Sequence, residues 1–142
     1  MKLPYILIAD EDIDHRKSFA TVFEKHVPYA NISTIDDPLL LPGFLSEHVD
    51  EGLPDLILLN IDPTASGVPD LMRESLLHPL SRAIPKIVWI PGMNGGETLM
   101  NGDETLDVLL PGVTLFLKWE TDLFDLENSV REVDALLRSR FF

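Results

Sequence analysis

The residues able to do chemistry in this chain are few and fall in groups. Asp10, Glu11 and Asp12 are consecutive acids that follow a short apolar run, Asn60 and Asp62 follow a second, and Lys118 and Trp119 close another. Three acids at the mouth of a buried strand can line an acidic pocket; elsewhere they would be solvated surface. The chain has no cysteine, which excludes a disulfide framework, a thiolate metal site and a cysteine nucleophile. His15, His26, His48 and His78 show no metal-ligand spacing and read as surface or helix-end residues. Ser66, just before Gly67, reads as a loop serine without nucleophile context. Gly92-Met93-Asn94-Gly95-Gly96 can form a backbone anion nest, but no lysine accompanies it in a phosphate-loop pattern, so a plain loop is expected.

These residues must be placed by the elements around them. Tyr5–Ala9, Asp55–Leu59, Lys86–Ile90 and Val113–Leu117 are short apolar runs, the pattern of strands buried on both faces of a parallel sheet. Asn31–Ile35 alternates as an edge strand does. Helical spacing is clearest at the end, where Leu123, Leu126, Val130, Val133 and Leu137 recur every three or four residues. Ile13, Ala20, Phe23 and Val27 are expected to line a first helix in the same way. From Pro38 to Val49, Pro42-Gly43 should interrupt or restart a helix. The stretch from Gly67 to Leu80 should begin helical near Pro69 and stop near Pro79. The segment before Leu106 has three nearby glycines, Gly95, Gly96 and Gly102, which weaken any helix there.

Five strands alternating with about five helices predict an α/β fold with a doubly wound five-stranded parallel sheet flanked by helices. Ligands in such sheets gather at the carboxyl ends of the strands, and those ends carry the acids, Asn60, Ile90, Lys118 and Trp119. The chain is 142 residues long with 45% hydrophobic and 25% charged residues, enough for one core, and it shows no repeat or linker; a single domain over 1–142 is expected. The formal charge of −13 argues against nucleic acid and anionic lipid as partners. No apolar run reaches the ~18 residues of a membrane span, and the N-terminus lacks signal-peptide form, so a cytoplasmic protein is expected.

The strand ends resemble those of response-regulator receiver domains, which have a flavodoxin-like fold. Tyr5-Ile6-Leu7-Ile8-Ala9-Asp10-Glu11-Asp12 with Arg16 is similar to the family's first strand and acidic pair. Leu53-Pro54-Asp55-Leu56-Ile57-Leu58-Leu59-Asn60 matches the approach to the phosphoacceptor, and Ile84-Pro85-Lys86-Ile87-Val88-Trp89-Ile90 the approach to the switch residue. The resemblance covers essentially the whole chain.

What it implies departs from phosphoryl transfer at each position. The acceptor position is Asn60, whose neutral amide cannot form an acyl phosphate. The hydroxyl position is Ile90, which offers no donor. At the lysine position a gapless count places Trp119, with Phe116 as the aromatic switch; alignment by type places Lys118 there. The loop Asp62-Pro63-Thr64-Ala65-Ser66-Gly67 is one residue shorter than the family's pattern. Asp10, Glu11, Asn60 and Asp62 stand where the family holds Mg²⁺, and loss of the acceptor's charge implies weaker binding.

The expected function is therefore that of an atypical receiver, not an enzyme and not phosphorylated at the usual site. It would act by protein–protein contact in a two-component or phosphorelay context, with a histidine kinase or another signalling protein as partner, as a monomer or homodimer and without an output domain of its own. Two alternatives stand beside it: phosphorylation of Asp62 in place of Asn60, and small-molecule or nucleotide binding at the strand-end crevice. The joint change at Asn60, Ile90 and Lys118-Trp119 points to natural divergence, since an engineered acceptor change would leave the other switch residues in place.

Overall fold

The apolar runs do form the strands. A computed structural model describes residues 3–60, 68–91, 115–119 and 123–141. It contains β1 (Tyr5–Ala9), β2 (Asn31–Ile35), β3 (Leu56–Asn60), β4 (Lys86–Pro91) and β5 (Leu115–Trp119). All adjacent pairs are parallel, in the order β2-β1-β3-β4-β5. The order reverses direction between β1 and β3, and this doubly wound arrangement opens a crevice at the carboxyl ends of those two strands. Asp10 follows β1 directly and Asn60 is the last residue of β3, so the topology brings residues 50 positions apart to one crevice.

The helices are α1 (Ile13–His26), α2 (Leu41–His48), α3 (Val68–Leu77), α4 (Pro79–Arg82) and α5 (Leu123–Phe141), with a 3₁₀ turn at Pro38–Leu40. Pro42-Gly43 marks the restart of a helix, one of the two outcomes expected there. The 3₁₀ turn runs into α2, and Pro42 falls in the first turn, where its missing N–H has no intrahelical partner to lose. The segment before Leu106 lies outside the described residues.

Side-chain alternation along the strands divides the core between the two faces of the sheet. Ile6, Ile8, Leu56 and Leu58 pack with Phe19 and Phe23 of α1 and with Val130, Val133 and Leu137 of α5. Leu7, Ala9, Ile57 and Leu59 pack with Leu41 and Leu45 of α2 and with Met72 and Leu76 of α3. Ile13 does not join the first cluster: it is 54% exposed, because α1 starts above the strand end before it reaches the sheet.

One buried residue breaks the apolar pattern. Lys86 opens β4 and is fully buried, with its ammonium donating to the backbone oxygens of Ser81 in α4 and of Ile84 just beyond it. Ser81 is buried as well and its hydroxyl donates to the backbone oxygen of Ser75. The two side chains thus tie the ends of α3 and α4 to the start of β4, adding second donors to the Ser75 and Ser81 carbonyls, which also accept from the His78 and Ile84 N–H groups.

Candidate functional site at the ends of β1 and β3

The site is built around a buried carboxylate. The Asp10 side chain is 4% exposed and its two oxygens are held differently. Oδ1 accepts from the Asp12 backbone N–H at 2.9 Å. Oδ2 accepts from the Asn60 amide nitrogen, Nδ2, at 2.6 Å and lies 3.3 Å from His15 Nδ1. The main chain of Asp10 is fixed too: its N–H donates to the Ile35 oxygen at 3.1 Å, and its carbonyl accepts from the Arg16 guanidinium at 2.7 Å. A buried carboxylate needs donors on both oxygens, and here the chain itself supplies them.

Asp12 has a separate task. Its side chain is the N-cap of α1 and accepts from the Asp14 and His15 N–H groups at 2.8 and 3.3 Å. Those backbone bonds hold its carboxyl below the ordinary carboxylate range. A carboxylate depressed in the folded state contributes stability above its ordinary pKa and loses it as pH falls through the depressed value. Asp12→Ala removes the cap and lowers Tm by roughly 2–4 °C; the loss shrinks as pH falls below the ordinary value of 3.8, which paired melts at neutral and acid pH would measure.

His15 is the functional-site residue that sequence reading misses. It is a rim residue with a 28% exposed side chain, and it does not stand alone on the surface. Its Nδ1 lies 3.1 Å from Asn60 Nδ2 and its Nε2 3.6 Å from Asp12 Oδ2. The available signal was its place three residues after the helix cap, which puts it on the first turn of α1 facing the strand ends. The remaining histidines behave as helix-end residues: His26 and His48 are the last residues of α1 and α2, and His78 caps α4 by accepting from the Leu80 N–H at 3.2 Å.

The other expected site residues divide into three groups. Asp10 and Asn60 are in direct contact. Glu11 is exposed beside them and makes no hydrogen bond or ion pair among the described residues. Asp62 lies outside the described residues, as do the side chains of Ile90, Lys118 and Trp119. The backbone register alone sets Ile90 opposite Lys118 and Pro91 opposite Trp119 on β4 and β5.

A divalent cation fits this donor set poorly. Hard cations take oxygen ligands, yet the group that Asn60 turns toward Asp10 is its NH₂, which donates and cannot ligate. The amide oxygen, Oδ1, is buried without a hydrogen-bond partner among the described residues. A cation between Asp10 and Asn60 would have to break the 2.6 Å bond and turn the amide round. Among the described residues no group of three His, Asp or Glu side chains is arranged to hold a metal. As it stands, the arrangement couples the start of α1 to the end of β3 by neutral and charge-assisted hydrogen bonds.

The parallel sheet in 2-1-3-4-5 order, with an acid after β1 and a polar residue ending β3, defines a CheY-like receiver fold. No family model and no curated protein matches the sequence. Solved structures do match. The chain is similar to the phosphorylated cyanobacterial phytochrome response regulator RcpA, with 17% identity, a TM-score of 0.73 and coverage of 99% of this chain and 98% of that one. It is also similar to the Mn²⁺-bound form of response regulator Rcp1, at 22% identity and TM-score 0.66 over 93% and 92% of the two chains. The Vibrio cholerae chemotaxis response regulator CheY4 matches at 13% identity and TM-score 0.60 over 93% and 99%. The fold is therefore that of response-regulator receivers along nearly its whole length. No described helix is long and apolar enough to cross a membrane.

Proposed function

We propose that this chain is an atypical receiver-type signalling protein that works without phosphorylation at the β3 position and signals by protein contact. The observation that carries this reading is the 2.6 Å bond from the Asn60 amide to Asp10. A receiver's phosphoryl transfer needs an ionised nucleophile at that place, and most of its catalysis is positioning around it. Here the place is taken by a neutral donor already committed to the neighbouring acid. Because the amide faces the acid, Mg²⁺ binding is weak at best, unlike the Mn²⁺-bound relative. The partner is a histidine kinase or another signalling protein, and the charge of −13 makes nucleic acid a poor one. The chain acts as a single domain in the cytoplasm and carries out no catalysis of its own.

Incubation with acetyl phosphate and Mg²⁺, followed by intact mass measurement, is expected to leave the mass unchanged. A hydroxylamine-labile adduct of one phosphoryl group would overturn the reading, and peptide mapping would then show whether Asp62 carries it. A neighbouring receiver with an acceptor aspartate, treated in parallel, should gain the adduct.

A further inference from the structure

The outer edge of the sheet offers a second place of contact, at some remove from the strand-end crevice. β2 is the edge strand, and its backbone is paired on one side only. The Asn31 N–H donates to the Pro4 oxygen at 2.8 Å and the Ile35 oxygen accepts from Asp10 at 3.1 Å, so Asn31, Ser33 and Ile35 turn their backbone groups toward β1. By alternation the N–H and C=O of Ile32 and Thr34 point outward, where no described residue pairs with them. Edge strands are usually blunted by a charge or a proline within the strand; Asn31–Ile35 contains neither.

Both faces of this edge are open. A cleft of about 450 Å³ runs along the α1 side, with Ile32 in its floor and Glu24 on its rim. On the α2 side two further clefts of about 460 and 430 Å³ follow the strand, the first lined by Ile35 and Phe44 with Asp36 and Glu47, the second bordered by Glu51. Glu24, Asp36, Glu47 and Glu51 are all exposed, and none is in an ion pair among the described residues. Arg16 is the one arginine or lysine lining these clefts among the described residues, and its guanidinium donates to the Asp10 carbonyl.

We infer that the β2 edge accepts an extended basic segment of a partner protein as a sixth strand. The outward groups of Ile32 and Thr34 would pair with its backbone, and alternate apolar side chains would enter the clefts above and below. Its lysines or arginines would meet the four carboxylates. Charge complementarity selects this occupant: a second copy of a chain with charge −13 would bring like charges together along the edge. The inference names a surface for the interaction module proposed above and rests on that reading.

Fluorescence anisotropy with a labelled, end-capped peptide repeating Val-Val-Lys-Lys, which puts valine and lysine on both faces of a strand, tests it on the intact chain. Saturable binding at low salt is expected, with no binding of the glutamate–valine counterpart. Thr34→Pro removes one outward N–H while leaving the β1 ladder whole, and it should weaken binding about tenfold. Glu24→Lys combined with Glu47→Lys should weaken binding further and flatten its salt dependence. The same peptide N-methylated throughout keeps its charge but cannot donate to a ladder; its loss of binding tests strand pairing even if Thr34→Pro fails to fold. No saturable binding to the wild type, or equal binding of the N-methylated peptide, overturns the inference, as does self-association through this edge that Thr34→Pro abolishes. The mass measurement reports on phosphorylation alone, so the two readings fail separately.

Discussion

Asn60→Asp is expected to destabilise the protein by roughly 3 kcal/mol at neutral pH in the presence of a chelator, about 10 °C in Tm. In the wild type the Asn60 amide donates to the buried Asp10 carboxylate at 2.6 Å. The variant loses that bond and puts a second carboxylate against the first, and two acids in one site cannot both ionise cheaply. One of them is then held protonated above its ordinary pKa. In the pH range between the ordinary and the raised value the folded variant binds more protons than the unfolded chain, so its stability falls as pH rises and recovers on acidification. The gap between variant and wild type should therefore narrow toward pH 5.

The same substitution turns the donor set into one of hard oxygens, so Mg²⁺ in the millimolar range should restore much of the lost Tm in the variant and leave the wild type unmoved. Differential scanning fluorimetry with chelator and with Mg²⁺ measures both effects. A variant as stable as the wild type, or a wild type stabilised equally by Mg²⁺, would show that the amide–carboxylate bond does not govern the site.

The second large effect lies at the other end of the sheet. Lys86→Ala is expected to cost roughly 3–5 kcal/mol, because it opens a cavity in a fully buried place, removes the donor to the Ile84 oxygen and leaves the Ser81 oxygen with the Ile84 N–H alone. Burial also pushes the Lys86 ammonium down to about 8 from its ordinary 10.5. Between those values the unfolded chain binds more protons than the folded one, so the Lys86 contribution makes stability rise with pH. Burial likewise pushes the Tyr29 phenol up to about 12, helped by its hydrogen bond to Asp134. From the ordinary phenol value of 10 upward the folded state holds the extra proton, and that contribution falls with pH. The rise due to Lys86 is therefore best read between about pH 8 and 10, as the difference between wild type and Lys86→Met in urea melts. A difference that stays flat across that window would mean that the ammonium is not desolvated.

Much of the architecture was legible because local pattern and burial agree. The run Tyr5–Ala9 could only be a strand buried on both faces, and Asn31–Ile35 read as an edge from its alternation and lies at one. Boundaries shifted by one or two residues at β3 and β5, where an apolar run continues into a polar strand end. Pro42-Gly43 left interruption and restart both open, since proline breaks a helix interior but suits its first turn, and only the neighbouring 3₁₀ turn decides which applies.

At the site, residue type was sufficient to place Asp10 and the amide of Asn60 at strand ends. Residue type could not say which way that amide turns, because the choice depends on what stands opposite, and the buried carboxylate of Asp10 favours the NH₂ side. Nor could it bring His15 to the pocket or hide Lys86 under α4. The strand runs and the residue types at their ends are properties of consecutive residues and were fixed along the chain, whereas the strand order is a tertiary pairing. The partners of Asp10, Asn60, His15 and Lys86 come from segments up to 50 residues apart, so they are decided only when the tertiary fold removes water and leaves each buried polar group to be satisfied by whatever the packing brings near.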